Sequence, residues 1–282
     1  MTDLHALITG GSSGIGRALA CRLAARGYDL SLIARREALL NDAAAEIRRH
    51  FSRPGQRLVT CSADVADAAQ AETAVKTVID KLGAPDLLVT SAGIAHPGHF
   101  DELPLATHQR EMQVNYFGTL HVVRAALPAM RARRRGRLVL VSSGAGLMGI
   151  FGYAAYSPTK FAVRGLAECL RAELRADNVA VSVVFPPDTE TPQLEEENKI
   201  KPEETKLMTG IVRAWSADAV AQCIVRGVER GAFAITPGFV IGAMYRIGGF
   251  LVPLLHWHFD RLAAGVRRRM CGAAAQPVAG RP

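Results

Sequence analysis

Tyr156 and Lys160 stand four residues apart in Tyr156-Ser157-Pro158-Thr159-Lys160, and Ser143 lies thirteen residues upstream. On a helix an i, i+4 pair shares one face, so this spacing brings a phenol and an ammonium into one site. A free tyrosine has a pKa of about 10 and is a poor acid–base group at neutral pH. A neighbouring cation favours the phenolate and would tune the phenol as a proton donor. A Tyr-x-x-x-Lys pair alone also occurs on solvated helix surfaces. The serine, and the loop Thr9-Gly10-Gly11-Ser12-Ser13-Gly14-Ile15-Gly16 near the N-terminus, make proton chemistry beside a bound nucleotide the better reading.

The loop is read with its flanks. Leu4 to Thr9 is an apolar run suited to a buried parallel strand, and Ile15 to Arg26 carries helical spacing. Gly10, Gly14 and Gly16 then fall in a strand-to-helix turn. There a backbone can approach a pyrophosphate, and the helix start offers free N–H groups. The spacing is Gly-x-x-x-Gly-x-Gly, not the Gly-x-Gly-x-x-Gly of the common dinucleotide fingerprint. The second strand ends Ile33-Ala34-Arg35-Arg36, where an NAD-preferring site would carry an acidic residue. Guanidinium groups match a phosphate with paired hydrogen bonds, so NADPH/NADP is the expected cofactor. Two arginines opening a helix are alternatively surface charges.

Strand-like runs near 4–9, 29–33, 57–61, 86–90, 137–142, 179–184 and 232–236 alternate with helical stretches near 15–26, 36–50, 67–82, 107–130, 156–176 and 216–229. Such alternation predicts an α/β fold with a doubly wound, Rossmann-type parallel sheet of about seven strands and helices on both faces. Ligands of these sheets bind beyond the carboxyl ends of the strands. Gly10, Arg35, Asp64, Ala92, Ser143 and Pro186 each follow a strand and can converge on one crevice.

With 282 residues, 49% of them hydrophobic, the chain supports one core. Residues 1–236 read as one nucleotide-binding domain including a loop at 186–210, residues 237–270 as an apolar C-terminal extension, and 271–282 as a disordered tail. Cysteines 21, 61, 169, 223 and 271 are scattered without C-x-x-C spacing, so neither a disulfide framework nor a metal site is expected. They fit a reducing environment. The chain starts directly on a strand, so no signal peptide is expected, and the cytoplasm or the cytoplasmic face of a membrane is the expected location. The net charge is +8, with basic clusters at Arg131–Arg137 and Arg267–Arg269. No recognition helix or stacking motif accompanies them, so nucleic acid is not an expected partner; an anionic membrane surface is the better one. Phe239–Tyr245 and Ile247–Leu255 form an apolar stretch, broken by Arg246 and weakened as a spanning helix by Gly248-Gly249 and Pro253. It reads as membrane contact, with Trp257 at the interface, or as packing in a homo-oligomer. His256 and His258 diverge on a helix and are not an expected metal pair.

Taken together, Thr9–Gly16, Asp64-Val65, Ser91-Ala92-Gly93, Asn115, Ser143, Tyr156 and Lys160 resemble, in order, the motifs of the short-chain dehydrogenase/reductase family. The resemblance covers roughly residues 4 to 236. Two departures are visible. The usual Asn-Asn-Ala-Gly reads Thr90-Ser91-Ala92-Gly93, which loosens the hydrogen bonds that hold the central strand to the cofactor without removing the turn. The Pro-Gly after the sixth strand reads Pro186-Pro187.

The stretch Phe185-Pro186-Pro187-Asp188-Thr189-Glu190-Thr191-Pro192, with Glu196-Glu197-Asn198-Lys199 after it, looks like the substrate loop of the 3-ketodihydrosphingosine (3-dehydrosphinganine) reductase branch. That likeness implies a small-molecule lipid substrate whose C3 ketone is reduced. It implies that Tyr156 donates the proton, Ser143 hydrogen-bonds the developing alkoxide, Lys160 holds the nicotinamide ribose, and Asn115 anchors a relay water. For the cofactor it implies Gly10, Ser12, Ser13, Gly14, Ile15, Gly16, Arg35, Arg36, Asp64 (toward the adenine), Val65, Ala92, Gly93, Tyr156, Lys160, Pro186, Thr189 and Thr191. Where those reductases often have a lysine this chain has Leu39. A reductase of another lipidic ketone, such as a β-ketoacyl thioester or a steroid, and a non-catalytic NADP(H)-sensing scaffold are the alternatives.

Overall fold

The strands are short, apolar runs whose side chains leave alternately toward two helical layers. In a computed structural model describing residues 4–210 and 213–274, the chain forms β1 (His5–Thr9), α1 (Gly14–Ala24), β2 (Asp29–Ala34), α2 (Glu37–Arg48), β3 (Leu58–Ser62) and α3 (Ala68–Leu82). There follow β4 (Leu87–Thr90), α4 (Leu105–Met112), a π-helical turn over Gln113–Phe117, α5 (Gly118–Arg133), β5 (Gly136–Val141), α6 (Tyr156–Glu173) and β6 (Val179–Val184). The remainder comprises β7 (Thr189–Glu190), α7 (Pro192–Ile200), α8 (Glu203–Thr209), β8 (Trp215–Ser216), α9 (Ala217–Glu229), β9 (Ala234–Ile235) and α10 (Phe239–Ala274).

Seven strands pair in parallel in the order β3-β2-β1-β4-β5-β6-β9. On β1, Leu7 enters the layer of α3, α5 and α6, while Ala6 and Ile8 pack toward α1, α2 and α9. That is the period-two alternation of a strand covered on both faces. The connections turn in opposite directions from β1 and β4, and a crevice opens at this switch point.

The expected helix at 107–130 begins at Leu105 and contains the π turn, which the apolar spacing did not foretell. The last strand is only two residues long. Between β6 and α9, the charged segment without an apolar period folds into α7, α8 and the two-stranded β7–β8 sheet. The arginines of the first basic cluster are engaged internally: Arg131 meets Asp177 at 2.6 Å, and Arg133 and Arg135 meet Asp86 at 2.7 and 3.1 Å.

The C-terminal extension forms one long helix. It kinks at Ile247 (φ −127°, ψ 19°), beside Gly248-Gly249, and continues through Pro253. Phe239–Val266 is long and apolar enough to cross a membrane, by length and composition, with mean hydropathy 1.5 and only 11% of its apolar window buried. The expected tail boundary at Cys271 falls inside this helix. Residues 275–282, and the side chains of Arg267–Arg269, lie outside those described.

Candidate active site

A cavity of about 380 Å³ opens beyond the carboxyl ends of the central strands. At one end the glycine turn joins β1 to α1. Gly10 has φ +69°, and a Cβ there would come within 2.8 Å of the Ala92 backbone nitrogen. A Cβ at Gly16 would sit 2.4 Å from the Gly10 carbonyl oxygen, so Gly16 serves close packing and does not line the cavity. Gly10, Ser12, Ser13, Gly14 and Ile15 do line it, at the start of α1. This is a cradle that side chains would fill, and the free N–H groups of a helix start suit a phosphate.

Along the same wall, Arg35 and Arg36 are exposed at the rim. The Arg35 Nη1 lies 3.9 Å from Asp64 Oδ2, which also accepts from Arg110 Nη2 at 2.9 Å. Burial pushes the Asp64 carboxyl up, but hydrogen bonds from Arg110 and the Ala66 N–H, with the charges of Arg110 and Arg35, outweigh it and hold the group below its ordinary value. Arg110, on α4, reaches Asp64 from 46 residues away in the chain, which no local spacing signals. Val65, Ala92 and Gly93 complete the floor. At the Thr90-Ser91 departure, the Ser91 N–H reaches the Thr9 carbonyl and the Ala92 N–H the Thr9 hydroxyl, both at a long 3.3 Å. The Thr90 hydroxyl is buried without a partner among the described residues.

The catalytic candidates sit at the centre. Ser143 follows β5 in extended backbone and caps a single 3₁₀ turn, Gly144–Gly146, accepting the Ala145 N–H at 3.1 Å. The Gly144 N–H donates to the Pro186 carbonyl at 2.8 Å, tying the β5 and β6 loops together. Tyr156 opens α6, and the Lys160 ammonium lies 5.4 Å from the centroid of its ring. Lys160 Nζ donates to the Val141 carbonyl at 3.3 Å.

Electrostatics at Tyr156 depart from the sequence expectation. Burial is the largest influence and raises the phenol; the Glu197 charge raises it further, and the Ser143 hydroxyl pulls it down. Lys160, whose ammonium lies beside the ring, is not among the largest influences on the phenol. Burial lowers Lys160 to about 8, against the opposing charges of Glu111 and Glu197. At neutral pH the phenol therefore keeps its proton and is able to donate it.

Asn115 lies in the π turn, buried to 1% exposure and outside the cavity lining. Its Oδ1 accepts the Ile94 N–H at 2.8 Å, while Nδ2 donates to the Ile94 carbonyl at 2.9 Å and to Thr159 Oγ1 at 3.0 Å. Thr159 in turn donates to the Tyr156 carbonyl at 2.7 Å. Asn115 thus binds backbone and braces the start of α6 against the end of β4. π turns of this kind occur frequently at functional sites.

Thr189 and Thr191 line the cavity beside Pro186. The Thr189 hydroxyl donates to the Pro187 carbonyl at 2.8 Å, and Thr191 Oγ1 caps α7 by accepting the Leu194 N–H at 3.3 Å. Sequence reasoning did not assign Tyr153, Gln193 or Glu197, which also line the cavity. The i, i+4 spacing of Gln193, Glu197 and Lys201 was a readable signal for one inward face of α7. Nor did it assign Glu111, one helical turn before Asn115, whose Oε2 is buried without a partner among the described residues. The far end of the cavity is apolar, walled by Met148, Met208 and, from α10, Ile241, Met244, Leu255 and Phe259.

A family model described as short chain dehydrogenase matches residues 4–202. The chain is 43% identical over 230 residues to the 3-ketodihydrosphingosine reductase of Bos taurus, spanning 81% of this chain and 69% of that protein. It is 41% identical over 248 residues to the 3-dehydrosphinganine reductase of Danio rerio, spanning 86% and 75%. Among solved structures, an alcohol dehydrogenase from the archaeon Thermococcus sibiricus complexed with 5-hydroxy-NADP superimposes with a TM-score of 0.69 at 26% identity, over 80% of this chain and 90% of that one.

Proposed function

The chain belongs to the short-chain dehydrogenase family, and from that premise we propose that it reduces the C3 ketone of 3-ketosphinganine to the alcohol of sphinganine, using NADPH. One observation carries this reading. A single cavity runs from the glycine turn past Tyr156 and Ser143 to an apolar wall supplied by α10, which suits a polar reacting head joined to a long alkyl chain.

A nicotinamide cofactor fits the cradle at Gly10–Ile15, and when bound it supplies the hydride. The residues of the chain do the rest. Tyr156 donates a proton to the oxygen that gains charge, and Ser143 hydrogen-bonds the same oxygen where negative charge develops. Lys160 holds the ribose beside the phenol. Asn115 fixes the Ile94 backbone and the start of α6, and a relay water is its further proposed partner. Preference for NADPH is assigned to Arg35 and Arg36, whose cations line the rim where a ribose phosphate would lie.

We place the exposed face of α10 against a membrane surface on the cytoplasmic side. Phe239, Phe250, Leu254 and Trp257 are 90%, 83%, 67% and 59% exposed. Apolar area of this kind, with an interfacial tryptophan, supports monotopic association, and homo-oligomer formation is compatible with it. Measuring kcat/KM with NADPH for 3-ketosphinganine beside an acetoacetyl thioester tests the substrate assignment. The amino ketone is expected to win; preference for the thioester would replace the reading with that of a β-ketoacyl reductase. A sensing scaffold would not need all four of Ser143, Asn115, Tyr156 and Lys160.

A further inference from the structure

Glu197 is a carboxylate on α7 with only 7% exposure, facing into the catalytic cavity. Two neutral donors fix its orientation. The Tyr153 hydroxyl donates to Oε2 at 2.5 Å, and Gln193 Nε2 donates to Oε1 at 2.8 Å. The Tyr153 ring lies 5.5 Å, centroid to centroid, from the Tyr156 ring, so the carboxylate is one aromatic side chain away from the proton donor. Its charge is felt at both Tyr156 and Lys160.

No lysine or arginine forms an ion pair with Glu197 among the described residues. Lys201, one turn further along the chain, turns instead to Asp188 at 3.3 Å and to the face of the Tyr153 ring at 5.9 Å. A buried charge held by hydrogen bonds but lacking a counter-ion is unfavourable unless something cationic is brought to it. A carboxylate offers about four lone-pair directions, and the two donors leave room for another.

Resting on the reductase reading above, we infer that Glu197 is the receptor for the substrate ammonium, the group on the carbon next to the ketone. With the ketone oxygen at Tyr156 and Ser143, the ammonium nitrogen is two bonds from the reacting carbon, and the Glu197 carboxylate is held beside Tyr156 by Tyr153, whose ring lies 5.5 Å from that of Tyr156. Its arrival compensates the Glu197 charge and relieves the repulsion that opposes ionisation of the Tyr156 phenol. Recognition of the amine thereby strengthens the proton donor, favouring amino ketones over ketones of the same length.

The test compares 3-ketosphinganine with its des-amino analogue, 1-hydroxyoctadecan-3-one, in identical mixed micelles with NADPH. In the wild type the amino ketone is expected to lead in kcat/KM by about 10–100-fold, the range of one charge-assisted hydrogen bond. In Glu197→Gln this ratio should collapse toward one, mostly through KM for the amino ketone. A ratio preserved in Glu197→Gln overturns the inference, because the carboxylate then only positions Tyr153. If that variant does not fold, the wild-type ratio decides: equal rates on both ketones overturn the inference and leave the reductase reading standing. A wild type that reduces neither ketone defeats the reductase reading itself.

Discussion

The Lys160 ammonium lies over the Tyr156 ring, 5.4 Å from its centroid, and not at the phenol oxygen. The hydrogen bond described for the ammonium goes to the Val141 carbonyl and not to the phenol. Burial and Glu197 keep Tyr156 protonated, while burial holds Lys160 at about 8. This polarity suits reduction, where the enzyme must give a proton away.

Tyr156→Phe should lower kcat for ketone reduction by about 10²–10⁴-fold, the usual worth of a positioned general acid. NADPH binding, followed by fluorescence titration, should stay within threefold, since the glycine cradle is untouched. Activity within threefold of wild type would remove Tyr156 from the chemistry.

Glu111 should make stability fall as pH rises. Burial pushes its carboxyl up to about 8 from its ordinary 4.5, and the His96 N–H and Lys160 oppose this only partly. Between these values the folded chain holds a proton that the unfolded chain has lost. The contribution is complete below the unfolded value and is lost as pH rises through the folded one, at up to about 1.4 kcal/mol per pH unit. Urea denaturation from pH 5 to 8 should show a flatter decline for Glu111→Gln than for wild type. Parallel profiles would mean that Glu111 is ionised in the folded protein.

Replacing Arg35 and Arg36 together with uncharged residues should raise Kd for NADPH far more than for NADH. Hydrogen bonds to a charged phosphate are worth about 1.5–3 kcal/mol each. Arg35 sits only 3.9 Å from Asp64, so part of its loss will be structural. Equal loss for both cofactors would show that neither arginine selects the phosphate.

The exposed face of α10 is best probed by substitution. Cutting the chain after Pro237 would strip Ile241 and Tyr245 from the main core, where the Tyr245 ring lies 5.4 Å from Phe185. Changing Phe250, Leu254 and Trp257 to serine leaves that packing alone. The wild type should float with anionic liposomes at low salt and the triple variant should not, with NADPH affinity unchanged in both. A wild type that stays in the soluble fraction defeats the membrane placement.

The sheet was legible because its strands are continuous apolar runs, such as Leu4–Thr9 and Val179–Val184, buried on both faces between amphipathic helices. The glycine turn was legible because chemistry restricts those positions. Less was readable where partners come from distant segments. Arg110 meets Asp64 across the crevice, and Glu197 faces Tyr156 from a segment with no apolar period. Of three consecutive glutamates, 195 to 197, the one spaced i, i+4 from Gln193 turns inward, but its partner Tyr153 lies on a distant segment that this spacing does not reveal. The π turn at Asn115 is hidden for a similar reason, since its spacing reads as an ordinary helix.

Hydride delivery to C3 tests the central claim most directly. Purified protein would be incubated with 3-ketosphinganine and NADPH deuterated at nicotinamide C4 on the transferred face, and the product analysed by mass spectrometry with positional fragmentation. Sphinganine carrying one deuterium at C3, formed in step with cofactor oxidation and lost in Tyr156→Phe, is the expected result. Cofactor oxidation without sphinganine, or unchanged 3-ketosphinganine while another ketone is reduced, would contradict it.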